Sequence, residues 1–217
     1  MLDASDLPDS LAARLALPLP GEAAQARFEP QLSFGRHRGP VPPAARGAAV
    51  IILLYREEDR WKIPLTLRPA HLDDHAGQVS FPGGAVEPGE TTEAAAVREL
   101  EEELGVPRSD VRVLGRLTDL YVFGSNFLVT PWVGVVQHRP VWQPCSEEVA
   151  EVLAVPLGQL VDSAYYATHL HSHGPLQFSA PHFHLANHIV WGATSMMLAE
   201  LVAVLEEHKE DRSVPRQ

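Results

Sequence analysis

The chain has 217 residues, of which 45% are hydrophobic, and a formal net charge of -11 at pH 7. That length supports one or two domains with a sizeable core, and that charge argues against a nucleic-acid backbone or an anionic membrane as partner. Cys145 is the only cysteine, so no intramolecular disulfide is available and a reducing, cytoplasmic setting is expected, with the thiol serving as a small buried hydrophobe.

Residues 1–45 read as an N-terminal extension. Its first residues, MLDASDLPDS, are acidic and polar, unlike a secretory or transit peptide. LPLPGE and GPVPPAARG mark turns or linkers, and only residues 11–17 carry a short helical pattern. Residues 46–217 read as the folded domain. AVIILLY, residues 49–55, is a buried strand, and its neighbourhood holds the longest apolar run, far too short for a membrane span. REEDR is a charged turn from which WKIPLTLR, residues 61–68, returns as the second strand of a hairpin. Pro64 within that strand predicts an edge or a bulge.

Phe81-Pro82-Gly83-Gly84 is a tight turn whose glycines permit close backbone approach to a phosphate. TTEAAAVRELEEEL, residues 91–104, has strong helix formers and neither proline nor interior glycine. Residues 111–117 and 127–136 form a further strand pair, and residues 160–173 and 175–184 are strand and turn elements with an aromatic bias. Residues 191–207 read as a closing amphipathic helix. Strand pairs interrupted by two good helices give an α+β fold class.

The helix at residues 91–104 carries the chemistry. Glu99, Glu102 and Glu103 stand at i, i+3 and i+4 and share one face, while Val97, Leu100 and Leu104 form the stripe that seats the helix. Like charges on one face near a helix C-terminus cost ~0.3–1 kcal/mol each when exposed, so a solvated acidic face is one reading. A hard divalent cation reverses the sign of every one of those terms, and it also lets so acidic a chain hold a polyanionic substrate.

Spacing separates the two readings. Gly84, Glu90, Arg98-Glu99-Leu100, Glu102-Glu103 and Gly105-Val106 fill every specified position of GX5EX7REUXEEXGU, where U is aliphatic. The chain therefore resembles the Nudix hydrolases. The resemblance implies a mixed sheet sandwiched between helices and a catalytic Mg²⁺ or Mn²⁺. It implies Glu99, Glu102 and Glu103 as catalytic metal ligands, with Glu148 outside the motif as a further candidate for ligand or base. Arg98 and Glu90 are implied as a pair that orients the ligands.

Immediately upstream, residues 65–84 resemble the accessory motif of the coenzyme A pyrophosphatase branch, LLTXR(S/A)X3RX3GX3FPGG. Leu65, Thr66, Arg68, Gly77, Phe81, Pro82, Gly83 and Gly84 match it, whereas Pro64, Pro69 and Asp73 depart from it. Arg68, Gly83 and Gly84 are thus the expected substrate contacts, and Asp73, an acid where the pattern has a base, is not. His75-Ala76-Gly77-Gln78, Val129-Thr130-Pro131, Glu148-Val149, Val155-Pro156-Leu157 and the stretch from Val190 to Thr194 also look like this branch.

The implied function is hydrolysis of the diphosphate bond of coenzyme A or a derivative, giving 3′,5′-ADP and 4′-phosphopantetheine or its acyl form. A Nudix enzyme for ADP-ribose or a dinucleoside polyphosphate, and a Nudix-like binding module without turnover, are the alternatives. The expected partner is a small nucleotide, with neither nucleic acid nor membrane, and the chain is a monomer or homodimer. His169, His171 and His173 alternate, and His182, His184 and His188 form a second group. No convergent zinc geometry is legible in their spacing, so they read as partly exposed polar positions. Trp132 and Trp191 read as core packing.

Overall fold

The computed structural model describes residues 2–31, 40–71, 76–174 and 176–213. Its organising element is strand β1 (Arg46–Glu57), whose side chains are buried on both faces. Ala49, Ile51, Leu53 and Tyr55 enter one apolar cluster, and Ala48, Ile52 and Leu54 enter the other. Strand alternation sends neighbours to opposite sides, so a continuous apolar run is what a strand covered on both faces requires.

β2 (Arg60–Leu67) returns from β1 as a hairpin, with Tyr55 opposite Lys62. The β1–β2 ladder stops there, while on its other side β2 pairs along residues 62–67 with β8 (Glu151–Pro156). Pro64 therefore lies in an interior strand opposite Ala154, two residues past the point where the β1 ladder has ended. On the side away from β8, Pro64 falls between the end of the β1 ladder at Lys62 and the next pairing at Thr66, so the ring sits at the local edge that a proline demands.

β3 (Val79–Ser80) adds to β2, while β4 (Gly83–Ala85) runs antiparallel to β1. β5 (Arg112–Arg116), β6 (Leu120–Val122) and β7 (Phe127–Val135) follow. β7 lies parallel to β1 from Arg46 opposite Phe127 to Leu54 opposite Val135, and completes an eight-stranded mixed sheet.

Helix α3 (Thr92–Leu104) covers one face through Ala95, Ala96, Leu100 and Leu104. The other face carries α1 (Leu7–Leu15), α2 (Glu22–Gln25) and α5 (Gly192–Ser213). After the short α4 (Leu157–Leu160), strands β9 (Tyr166–His173), β10 (Leu176–Leu185) and β11 (His188–Trp191) form a separate three-stranded sheet. Phe183 and Leu185 of that sheet share the α5 core. The architecture is the α+β sandwich expected from the sequence.

Two expectations change on contact with the structure. The closing helix is not amphipathic over its first half: every residue from 194 to 202 is buried, because α1, α2 and the second sheet enclose it. Cys145 is half-buried rather than a core residue. No helix among the described residues is long and apolar enough to cross a membrane.

Residues 2–31 pack onto the domain. Leu7, Leu11 and Phe28 are buried in the α5 core, and Phe28 stacks on Phe183 at a centroid distance of 4.2 Å. The attachment centres on Glu200 of α5, a fully buried carboxylate. It accepts hydrogen bonds from Gly21 N at 3.2 Å, Gln25 Nε2 at 2.8 Å, and Thr118 Oγ1 at 2.7 Å. Hydrogen bonds to a charged acceptor contribute about 1.5–3 kcal/mol, and leaving donors buried without one costs a similar amount. Glu200→Ala is expected to lower the unfolding free energy by about 3 kcal/mol, and Glu200→Gln by clearly less. Urea denaturation of both variants measures this; equal small losses would show that the carboxylate does not anchor the N-terminal helices.

Candidate active site

α3 is fixed at both ends by its own sequence. The Thr91 side chain caps the first turn by accepting from Ala94 N at 3.2 Å. Gly105 ends the helix at φ 71°, a conformation glycine adopts without strain, and its N–H bonds Glu101 O at 2.9 Å. The last carbonyls of α3 are taken up by the segment that brings Glu148. Gln143 N donates to Leu104 O at 3.0 Å and Cys145 N to Glu103 O at 2.9 Å, and Glu148 N turns back to Cys145 O at 3.0 Å. A Cβ at Gly105 would lie 2.7 Å from Gln143 Cβ, so glycine there also sets how closely this segment approaches.

Across that junction, carboxylate oxygens of Glu99, Glu103 and Glu148 come within 4.8 Å of one another. Glu103 is buried, Glu99 half-buried and Glu148 exposed. This is the only such group of three metal-capable side chains among the described residues. Its all-oxygen donor set suits a hard divalent cation. Glu102 stands beside the group and not in it: its carboxylate accepts from Arg98 Nη1 at 2.9 Å and lies 3.9 Å from Arg108 Nη2.

Arg98 is buried beneath the site and spends its donors on it. It bonds Glu90 through Nε at 3.0 Å and Nη2 at 3.1 Å, Glu99 through Nη1 at 2.9 Å, and Ala85 O through Nη2 at 3.1 Å. The guanidinium holds the Glu90 carboxyl below its ordinary range, and these carboxylates hold Arg98 firmly protonated.

The two turn glycines serve the carboxylates directly. Gly83 N donates to Glu103 Oε1 at 3.4 Å, and a Cβ at Gly84 would fall 2.3 Å from Glu99 Oε1. Arg68 is half-buried with its Nε enclosed and without a hydrogen-bond partner, and its charge acts on Glu103. Asp73 and His75 lie outside the described residues.

The histidines gather elsewhere. His182 is buried rather than partly exposed, its Nδ1 is 3.1 Å from His169 Nδ1, and burial holds it below its ordinary pKa. The His171 ring packs at a tilt against the half-buried Trp191, centroids 4.0 Å apart. Half-buried Trp132 packs against the α3 cluster and bonds Thr92 Oγ1 at 3.1 Å. The feature that sequence reasoning missed is the backbone lacing of residues 143–148 to the end of α3. Its only sequence trace is Gly105 inside the motif.

Burial, reinforced by the neighbouring Glu99 and Glu148 charges, pushes Glu103 up to about 8, with Gly83 N–H and Arg68 opposing it. Between the ordinary value of 4.5 and about 8 the folded protein keeps a proton that the unfolded chain has released. Stability from this group is therefore complete below the lower value and declines as pH rises through the window. In EDTA, Glu103→Gln should gain on the parent by about 4 kcal/mol as pH rises from 4.5 to 8. Urea denaturation across that range checks it, and a pH-independent difference would refute it. Gly84→Ala should leave the melting temperature nearly unchanged, because Glu99 can swing aside, yet weaken Mn²⁺ binding ~10-fold or more by spoiling its position. Calorimetric Mn²⁺ titration separates the two effects.

The NUDIX domain family matches residues 45–173 of the chain. Nudix hydrolase 3 of Caenorhabditis elegans is 33% identical over 173 residues, covering 72% of each protein. The uncharacterized Nudix hydrolase NudL of Yersinia pestis (strain Pestoides F) is 35% identical over 158 residues, covering 72% of this chain and 77% of NudL. The crystal structure of RenU, a Nudix hydrolase from M. smegmatis, superposes with a TM-score of 0.50 at 18% identity, over 80% of this chain and 89% of RenU, a likeness of fold. With the complete motif folded as a strand, a loop and a helix, and its carboxylates gathered at the turn that precedes the helix, the chain belongs to the Nudix hydrolases, a family of enzymes acting on phosphorus anhydrides.

Proposed function

We propose that this Nudix enzyme is a cytoplasmic, Mg²⁺- or Mn²⁺-dependent pyrophosphatase that hydrolyses the diphosphate bond of coenzyme A or a derivative. Its products are 3′,5′-ADP and 4′-phosphopantetheine or its acyl form. The observation that carries the reading is the convergence of Glu99, Glu103 and Glu148 beside Arg68, a cation whose buried Nε is unpartnered. The choice of coenzyme A rests on the stretch from Leu65 to Gly84 and its match to the accessory motif.

Glu99, Glu103 and Glu148 are the residues that would hold the cation, with Glu102 joining when a charge draws it from Arg98. When bound, such an ion neutralises diphosphate charge and lowers the pKa of its water. The chain's own residues do the rest. Arg98, kept in place by Glu90 and Ala85 O, fixes the direction of Glu99. Gly83 and Gly84 keep the strand close, leaving room for the carboxylates and for a phosphate. Arg68 takes a phosphate oxygen. Exposed Glu148 meets solvent first and accepts the proton of the water that attacks phosphorus.

A substrate panel of coenzyme A, acetyl-coenzyme A, ADP-ribose and a dinucleoside tetraphosphate, with products resolved by chromatography, tests the assignment. Coenzyme A or its acetyl form should be turned over fastest, EDTA should abolish the activity, and Mg²⁺ or Mn²⁺ should restore it. Preference for ADP-ribose or the dinucleotide would overturn the substrate assignment and keep the reaction class. Arg68→Ala should lower kcat/KM for coenzyme A roughly tenfold or more, the loss of one charge-assisted contact of ~1.5–3 kcal/mol. An Arg68→Ala enzyme with parental kcat/KM would remove Arg68 from substrate recognition.

A further inference from the structure

We propose that β9 is a self-association edge, through which two copies of the chain pair antiparallel into one continuous six-stranded sheet. β9 spans 8 residues, and all of them pair with β10 on one side. On its other side no strand pairs with it among the described residues.

The direction of its free backbone groups follows from one hydrogen bond. Ser179 stands directly opposite Leu170, and Ser179 N–H donates to Gln31 Oε1 at 3.3 Å, away from β9. In an antiparallel ladder, directly opposed residues exchange both N–H···O bonds or neither. Leu170 therefore turns its N–H and C=O outward, and Thr168 and Ser172 do the same, two residues to either side.

Edges of this kind are normally blunted by a charge, a proline, a bulge or a covering segment. β9 reads YATHLHSH, without Lys, Arg, Asp, Glu or Pro. Leu170 at its centre is 74% exposed.

The strand's own symmetry selects the occupant. An interface between identical copies about a two-fold axis must be complementary to itself. An axis at Leu170 sets Leu170 on Leu170, His169 on His171 and Thr168 on Ser172: apolar on apolar, imidazole on imidazole, hydroxyl on hydroxyl. The central pair and both Thr168–Ser172 pairs would be of the bonded kind, since those residues aim their backbone outward. In a chain of net charge -11, this strand is also a place where two copies meet without setting acid against acid.

Sedimentation equilibrium of the full chain at neutral pH, over a range of concentrations, tests the proposal. The mass should rise with concentration toward two chains. Leu170→Pro removes an outward N–H and keeps the ladder to β10, and Leu170→Lys places a charge on the axis. Each should weaken dimerisation at least ~10-fold with an unchanged circular dichroism spectrum. Ile189→Lys, which charges an exposed apolar residue on β11, should leave it intact. A parent that stays monomeric at every concentration overturns the proposal, including the case in which its Leu170 amide is protected from exchange by the chain's own residues. So does a dimer that survives Leu170→Lys, or one lost equally in Ile189→Lys.

Discussion

The arrangement depends first on one buried guanidinium. Glu90, Glu99, Glu102 and Glu103 would repel one another if left to themselves, and the helix dipole would add to the penalty at the C-terminal end. Arg98 sits among them with its donors directed to Glu90, Glu99, Glu102 and a β4 carbonyl. It joins the loop before α3, the helix itself and the sheet edge in a single network. A lysine has no comparable planar fork and would not meet the same acceptors in fixed directions. Breaking a buried ionic group of this kind by removing one member is far costlier than the pair is worth against a neutral alternative. The network therefore serves geometry more than stability.

Much of this was legible in the sequence because the chemistry is local. Glu90, Arg98 and Glu99 lie within three turns of one helix start, so their spacing carries their proximity. The hairpin of β1 and β2 was legible for a similar reason, since an apolar run, a charged turn and a returning strand are neighbours in the chain. Long-range consequences were not. Helix α5 reads as amphipathic until α1 and α2, nearly two hundred residues earlier, are known to enclose it. Pro64 marks its local edge correctly, but no local pattern announces that β8 will pair with the other side of β2.

The site divides along the same line. Glu99 and Glu103 are brought together by helical periodicity alone, while Glu148 reaches them only through the tertiary path of residues 143–148. Glu102 shares their helical face, yet in the structure it answers to Arg98 and Arg108. Periodicity says which residues can share a surface; neighbouring charges decide where each carboxylate rests. The glycines of the FPGG turn carry a similar lesson. Their motif position suggests a phosphate, and the contacts they make are with Glu99 and Glu103.

The lacing of Gln143 and Cys145 to the end of α3 has a mechanical corollary. The carbonyls of Glu103 and Leu104 would otherwise face water, and here they anchor the strap that carries Glu148. Fraying of the last helical turn and retreat of Glu148 are then one motion, with a shared opening free energy. A load that draws Glu148 inward tightens the helix terminus, and a terminus that loosens takes a carboxylate out of reach. The end of this helix is thereby a clasp whose closure and the assembly of the acidic group are the same event.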